Sequence, residues 1–296
     1  MNQVTISEPV TIAGVNVFNG RENHAVFYPA EDDTGIVYLV GDTRIPANLS
    51  NAFHYKKRGA SCIALKTREN SAKAVKVEHM LSALRYGLGI DNLAIELSDG
   101  VCPRQNNSVS GIIKALSPLR KQGISEKRYL TVAGCLEDES RVYQGDPDRI
   151  EVRQGDGFTI DYTSYFPHKA IGRQRCVLDV TYSGYCKYIM MARGPVFLPF
   201  GSRFIIDRLG FMHGVNDDNA LLVGSVDDEH FLNKEDCHFC GDEFVRHKIL
   251  DTFGAIALLE YELKDTMFIS KMTGHKFDLE ALNKFKERGV FVGYRD

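Results

Sequence analysis

The chain has 296 residues, 44% hydrophobic and 25% charged, with a net charge of −3 and a pI near 6.3. That is enough for two domains of ordinary size, and neither the charge nor any Lys/Arg cluster suits a nucleic-acid surface. MNQVTISEPVTIAGVNVF lacks the basic start and apolar core of a signal peptide, and no segment reaches the roughly 18 apolar residues of a membrane span, so the cytosol is the expected compartment.

From Val4 to Leu97, short β-rich runs such as AVFYPA and TGIVYLVG alternate with turn signals such as AEDDTG. The period changes in SAKAVKVEHMLSALRYGLG, where Val77, Leu81 and Leu84 make one helical stripe that stops at Gly87 and Gly89. A strand, NLAIEL, comes next, and then a second helix, SGIIKALSPLR, disrupted at Pro118. KQGISEKR, polar and charged, is the best linker candidate.

The second half repeats that order. YLTVAGCLED, IEVRQGD, GFTIDYT and VLDVTY read as strands, DEFVRHKILDTFGAIALLEYEL as a helix, and LEALNKFKERG as a closing helix. Strands followed by helices, twice over, argue for an α+β protein of two similarly built domains, 1–125 and 126–296, with a cleft between them.

Seven scattered cysteines do not form a disulfide framework. CHFC at 237–240 has the spacing of a metal-binding pair but no second pair, so plain loop cysteines are the simpler reading.

Within the DEFVRHKILD helix, His247 and Asp251 stand four apart and face the same way, so both can reach one metal ion. The same spacing also arises on a solvated face, and Arg246 and Lys248 beside them suit surface ion pairing. In the first half His79 follows Glu78 in VEHMLSAL. Two histidines and a carboxylate would give zinc three ligands and leave one position for water, the open arrangement of a catalytic site. Glu78 could take that water's proton, and His275, in TGHKFDLEAL in a loop ahead of the last helix, is a candidate donor to a leaving amine. Each of these residues also has an ordinary structural reading: a hydrogen-bonded histidine, a solvated helix charge, a loop histidine.

At these residues the chain resembles the zinc-dependent UDP-3-O-acyl-N-acetylglucosamine deacetylases of lipid A synthesis. The resemblance runs in order through GVNVFNG, PAEDDTGIVY, VEHMLSALRYGLGIDNLAIEL, FPHKAIG, DNALLV, GDEFVRHKILDTFGAIALL and TGHKFDLEAL. It implies His79, His247 and Asp251 as Zn²⁺ ligands, Glu78 as general base and His275 as general acid, with Lys248 near the reacting centre. It also implies two β-α-α-β domains with the metal at their interface. The substrate class it implies is an N-acetylated, UDP-linked and acylated glucosamine. The chain is expected to be a monomer without a membrane span, making at most peripheral contact with an acylated substrate.

Four positions depart from the family pattern. Asn19 stands where the family has histidine, Asn106 where it has aspartate, and Gly194 where a threonine hydroxyl helps hold the oxyanion. Ala255 stands where an aspartate supports the general-acid histidine. The chain therefore reads as a divergent zinc amidohydrolase. The same chemistry on another N-acyl sugar or amide, or a zinc-binding relative without turnover, are the alternative readings. PVFLPFGSRFIIDRLGF is apolar enough to line an acyl-chain passage, or to pack in a core.

Overall fold

A computed structural model describes residues 1–57, 59–105, 108–143, 146–197, 220–224, 238–239 and 241–295. In the first half, β1 (Asn2–Ile6), β2 (Val10–Val15), β3 (Glu22–Pro29), β4 (Ile36–Val40) and β5 (Thr43–Pro46) precede a three-stranded sheet of β6 (Ala52–Lys57), β7 (Ala60–Leu65) and β8 (Ala74–Val75). Helix α1 (Glu78–Ser82), β9 (Leu93–Leu97), α2 (Ser110–Leu116) and β10 (Arg120–Glu126) follow. The main sheet has the order β2-β3-β9-β4-β5, antiparallel except where β9 lies parallel to β4.

The second half opens with β11 (Arg128–Val132), β12 (Cys135–Tyr143), β13 (Asp146–Gln154), β14 (Phe158–Phe166), β15 (Gly172–Asp179) and α3 (Tyr182–Tyr188). Then come β16 (Pro195–Phe197), β17 (Leu221–Val223), α4 (Glu243–Ile256), β18 (Glu262–Leu263), β19 (Thr266–Lys271), α5 (His275–Glu287) and β20 (Phe291–Arg295). Its main sheet runs β12-β13-β19-β14-β15, again antiparallel except for one parallel pair, β14 with β19. Strand order and direction are therefore the same in the two sheets, and the chain is α+β.

Side-chain alternation explains the strands. In β3, Asn23, Ala25 and Phe27 turn inward while their neighbours face out, and β14 and β19 bury Ile160, Tyr162 and Phe268 in the same way. Helix α4 is apolar on nearly every side: Phe244, Val245, Ile249, Leu250, Phe253 and Ile256 are all buried, so it must lie inside the molecule. It packs against α1. The approach is backbone to backbone, since a Cβ at Gly254 would fall 2.1 Å from the carbonyl oxygen of Glu78. Only glycine permits that contact.

Several elements differ from the sequence reading. Ala74–Val75 is a strand, Lys76 has φ +65° in the left-handed region, and the helix begins only at Glu78, continuing as a π-helical turn over Ala83–Gly87. The stretch read as a linker is largely β10, antiparallel to β1, because its backbone groups find partners in the N-terminal strand whatever its side chains are. Tyr182–Tyr188, partly read as strand, is a helix capped by the Thr181 hydroxyl, which accepts from the Gly184 N–H at 3.0 Å. His275 lies not in a loop but at the first position of α5, after Gly274 at the N-cap.

Buried charges tie the halves together near the crossover. Lys127 Nζ lies 2.7 Å from Glu262 and 3.4 Å from Asp91, and Asp91 also accepts from the buried Arg85 at 2.8 Å.

Candidate metal centre

Helix geometry brings His247 and Asp251 together on α4, and the Gly254 contact brings α1 with His79 against them. His79 Nε2 lies 3.2 Å and His247 Nε2 3.5 Å from Asp251 Oδ1, and the two rings meet edge to face with centroids 4.8 Å apart. One ligand atom from each of the three lies within 4.8 Å of the others. Ligands bonded tetrahedrally at ~2.0–2.1 Å stand about 3.3 Å apart, so these separations fit a single divalent cation. The second nitrogen of His247 donates to the Ala192 carbonyl at 3.2 Å, which leaves the Nε2 lone pair for a ligand bond. Ala192 is held by its neighbour: Arg193 donates from its backbone N–H and its Nε, each at 2.9 Å, to the buried Glu243 of α4.

Glu78 is 0% exposed. Its Oε2 accepts from the Ile63 N–H of β7 at 3.0 Å, while Oε1 has no hydrogen bond among the described residues and faces Lys76 Nζ at 3.6 Å. Burial raises its pKa and Lys76 pulls it back down. One pinned oxygen and one free oxygen, with the pKa raised, suit a group that accepts a proton.

Lys248 Nζ lies 3.1 Å from Asp251 Oδ2, and His275 Nε2 3.9 Å from the same oxygen. Burial works against both cations. For Lys248 it is overcome by Asp251, Tyr162 and Asp278, so the ammonium persists; for His275 it prevails over Asp251 and pushes the imidazole down to about 3. Burial also lowers His79 and His247, while burial of Asp251 is outweighed by His247, Lys248 and His275, holding its carboxyl well below the usual range.

These groups line a cavity of about 480 Å³ whose other wall is apolar, formed by Phe166, Pro195, Val196 and Phe197, with Phe166 and Phe197 stacked at 5.8 Å. Gly194 lines it too. Asn19 does not; it is exposed in the β2–β3 turn, where its Oδ1 accepts from the Arg21 N–H at 2.9 Å. Ala255 is buried in the apolar core behind the site. Asn106, Cys237, Cys240 and residues 198–211 of the apolar stretch lie outside the described residues. Among the described residues, no helix is long and apolar enough to cross a membrane.

Sequence reasoning missed Lys76 and Asp278. Lys76 carries no local signal in AVKVEH, and its left-handed backbone is what turns it toward Glu78. Asp278 stands three residues after His275, a helical spacing that the sequence shows without marking it as functional.

The family model described as LpxC, UDP-3-O-acyl N-acetylglycosamine deacetylase, matches residues 3–287. A UDP-3-O-acyl-N-acetylglucosamine deacetylase of Nitratidesulfovibrio vulgaris is 31% identical, over 97% of this chain and 88% of its own length. One from Brucella ovis is 31% identical over 95% and 93%, and one from Histophilus somni 29% identical over 100% and 94%.

Proposed function

The chain belongs to the UDP-3-O-acyl N-acetylglycosamine deacetylase family, and on that premise we propose that it hydrolyses the acetamide of a UDP-linked, 3-O-acylated N-acetylglucosamine, releasing acetate and the free amine. The observation that carries this reading is the meeting of His79, His247 and Asp251 around one point, with a Glu78 oxygen within 4.8 Å of both Asp251 and His275.

His79, His247 and Asp251 would hold Zn²⁺, two imidazoles and one carboxylate being a set typical of catalytic zinc. Bound there, zinc supplies Lewis acidity toward the acetyl carbonyl and lowers the pKa of water to about 7. Glu78 accepts the proton of the attacking water through Oε1, while the Ile63 N–H keeps its other oxygen fixed. Lys248 stabilises negative charge as it develops, and His275, neutral at rest, takes up at Nε2 the proton that Glu78 has removed from the water and passes it to the departing nitrogen. The apolar wall of Phe166, Val196 and Phe197 suits an acyl chain. We also read the chain as two domains, 1–125 and 126–296, a division that the repeated strand order supports, and as a cytoplasmic monomer.

The test is acetate release by zinc-loaded protein from acylated and unacylated UDP-N-acetylglucosamine and from other N-acetylated sugars. Turnover of the acylated nucleotide sugar is expected. Silence on all of them would overturn the enzymatic reading, and preference for another N-acyl sugar would reassign the substrate, as the altered positions Gly194 and Ala255 would then explain. Metal analysis should find one zinc per chain, lost in His79→Ala combined with Asp251→Ala.

A further inference from the structure

The first turn of α5 carries two buried polar groups with no visible purpose. Asp278 is 0% exposed, and neither carboxylate oxygen has a hydrogen bond of ordinary geometry among the described residues. His275 Nδ1, three residues earlier on the same helix, is likewise buried without a partner. Residues three apart on a helix face the same way, and an unpaired buried carboxylate is costly enough that its persistence calls for a reason.

The surroundings narrow that reason. From α4, Asp251 stands 3.9 Å from Nε2, and Ala255, one turn further on, has only a methyl group packed in the apolar core. The Thr273 hydroxyl acts on Asp278 but is shared with Tyr162 at 3.1 Å and Ser270 at 2.8 Å. Lys248 of α4 is the cation that acts on Asp278, and Asp278 in turn helps keep Lys248 charged. Within the turn that leaves His275 Nδ1 and the Asp278 carboxylate, both buried and neither hydrogen-bonded to the other.

We propose that Asp278 is the positioning residue for His275: its carboxylate accepts the Nδ1–H through one bridging water, and so keeps Nε2 turned toward Asp251 and the cavity while its charge stands against Lys248. Asp278 touches neither substrate nor metal; it acts through the imidazole. The carboxylate behind the acid thus comes from the helix that bears the histidine, and Ala255 is no loss. The inference rests on the reading of His275 as proton donor.

The test reads the tautomer directly. Long-range ¹H–¹⁵N spectra of the zinc-loaded, histidine-labelled protein, with His275 assigned from its disappearance in His275→Gln, should show the Nδ1–H tautomer. Asp278→Asn should keep it, because the amide oxygen accepts from the same water, and should retain most of the turnover. Asp278→Leu, with Asp278→Ser in reserve should the leucine variant fail to fold, should lose the single tautomer. Either should also cut kcat about 10- to 100-fold at unchanged KM and zinc content, the range usual when the group orienting an imidazole is removed. An unchanged tautomer in both variants, or full kcat in either, overturns the proposal. If the wild-type protein turns over no substrate, the functional reading fails, but the tautomer still decides this one.

Discussion

The two halves share a strand order yet deliver chemistry by different means. The second half uses a regular helix of 14 residues, on which the spacing of His247, Lys248 and Asp251 fixes their common direction. The first half uses a helix of five residues that runs into a π-helical turn and follows a lysine in the left-handed region. A helix that short has no stability of its own. It is held from outside, by β7 through the Ile63 N–H on Glu78 and by α4 through Gly254. The proposed metal ligands of the second half are thus set by local geometry, and the proposed ligand and base of the first half by packing across the interface.

The sharpest way to break this comparison is to push the halves apart. Gly254→Val places atoms inside the Glu78 carbonyl, and α1 must retreat. Stoichiometric zinc and turnover should both be lost, with a destabilisation of about 1–3 kcal/mol for the overpacking. Metal analysis and a denaturation curve check it; a variant that keeps its zinc and its Tm would mean that α1 is not held by this contact. Glu78→Gln separates the proposed base from the proposed ligand without moving the helix. It should keep zinc and lower kcat about 10²–10⁴-fold, the usual contribution of a positioned base. Activity near wild type would remove Glu78 from the mechanism.

The same contrast explains what the sequence reveals. Helix α4 and the histidine–aspartate pair on it are legible because a helix repeats its own geometry, and His79 with Glu78 stands out because the two are adjacent. The α+β class follows from the order of periodic segments. The pairing of β10 with β1 is hidden, since a strand with polar, exposed side chains looks like a linker until its partner is known. Helix α3 is hidden because Tyr182–Tyr188 has no clear apolar stripe. The entry into α1 is hidden as well: nothing in AVKVEH announces that Lys76 adopts φ +65° and faces Glu78. His275 looks like a loop residue because the glycine before it reads as a turn, whereas Gly274 is the N-cap of α5 in extended backbone.

Acid should expose the cost of the buried imidazoles. His79, His247 and His275 are lowered by burial from 6.5 in the folded protein, His275 to about 3, so between those limits the unfolded chain binds more protons. Stability of the metal-free protein is therefore full above about pH 6.5 and declines as the pH falls toward the folded values. Asp251, also depressed, withdraws its contribution only below its ordinary 3.8. By pH 5 the loss should be roughly 2 kcal/mol for each imidazole that stays neutral. Urea denaturation at pH 7 and pH 5 measures it, and His275→Leu should shrink the difference. Equal stability at the two values would mean that these rings are not neutral in the fold.

The smallest effect expected is that of Ala255→Asp, and its size depends on Asp278. Ala255 lies one turn beyond Asp251 on α4, 0% exposed among apolar side chains. A carboxylate there faces the imidazole from the second-half helix, and a nearby anion favours the protonated ring and raises its pKa. The limb of the kcat profile on which His275 loses its proton should move to higher pH. In the wild-type background the shift should stay within about one unit, because Asp278 already supplies a charge, and the buried carboxylate should cost about 1–3 kcal/mol of stability. With Asp278→Asn in place the added anion becomes the only carboxylate behind the ring, so the shift should be larger. If the limb stays where it was in both backgrounds, His275 is not the acid. If it shifts equally in both, Asp278 does not act on the ring, and α4, not α5, is the side from which that imidazole is controlled.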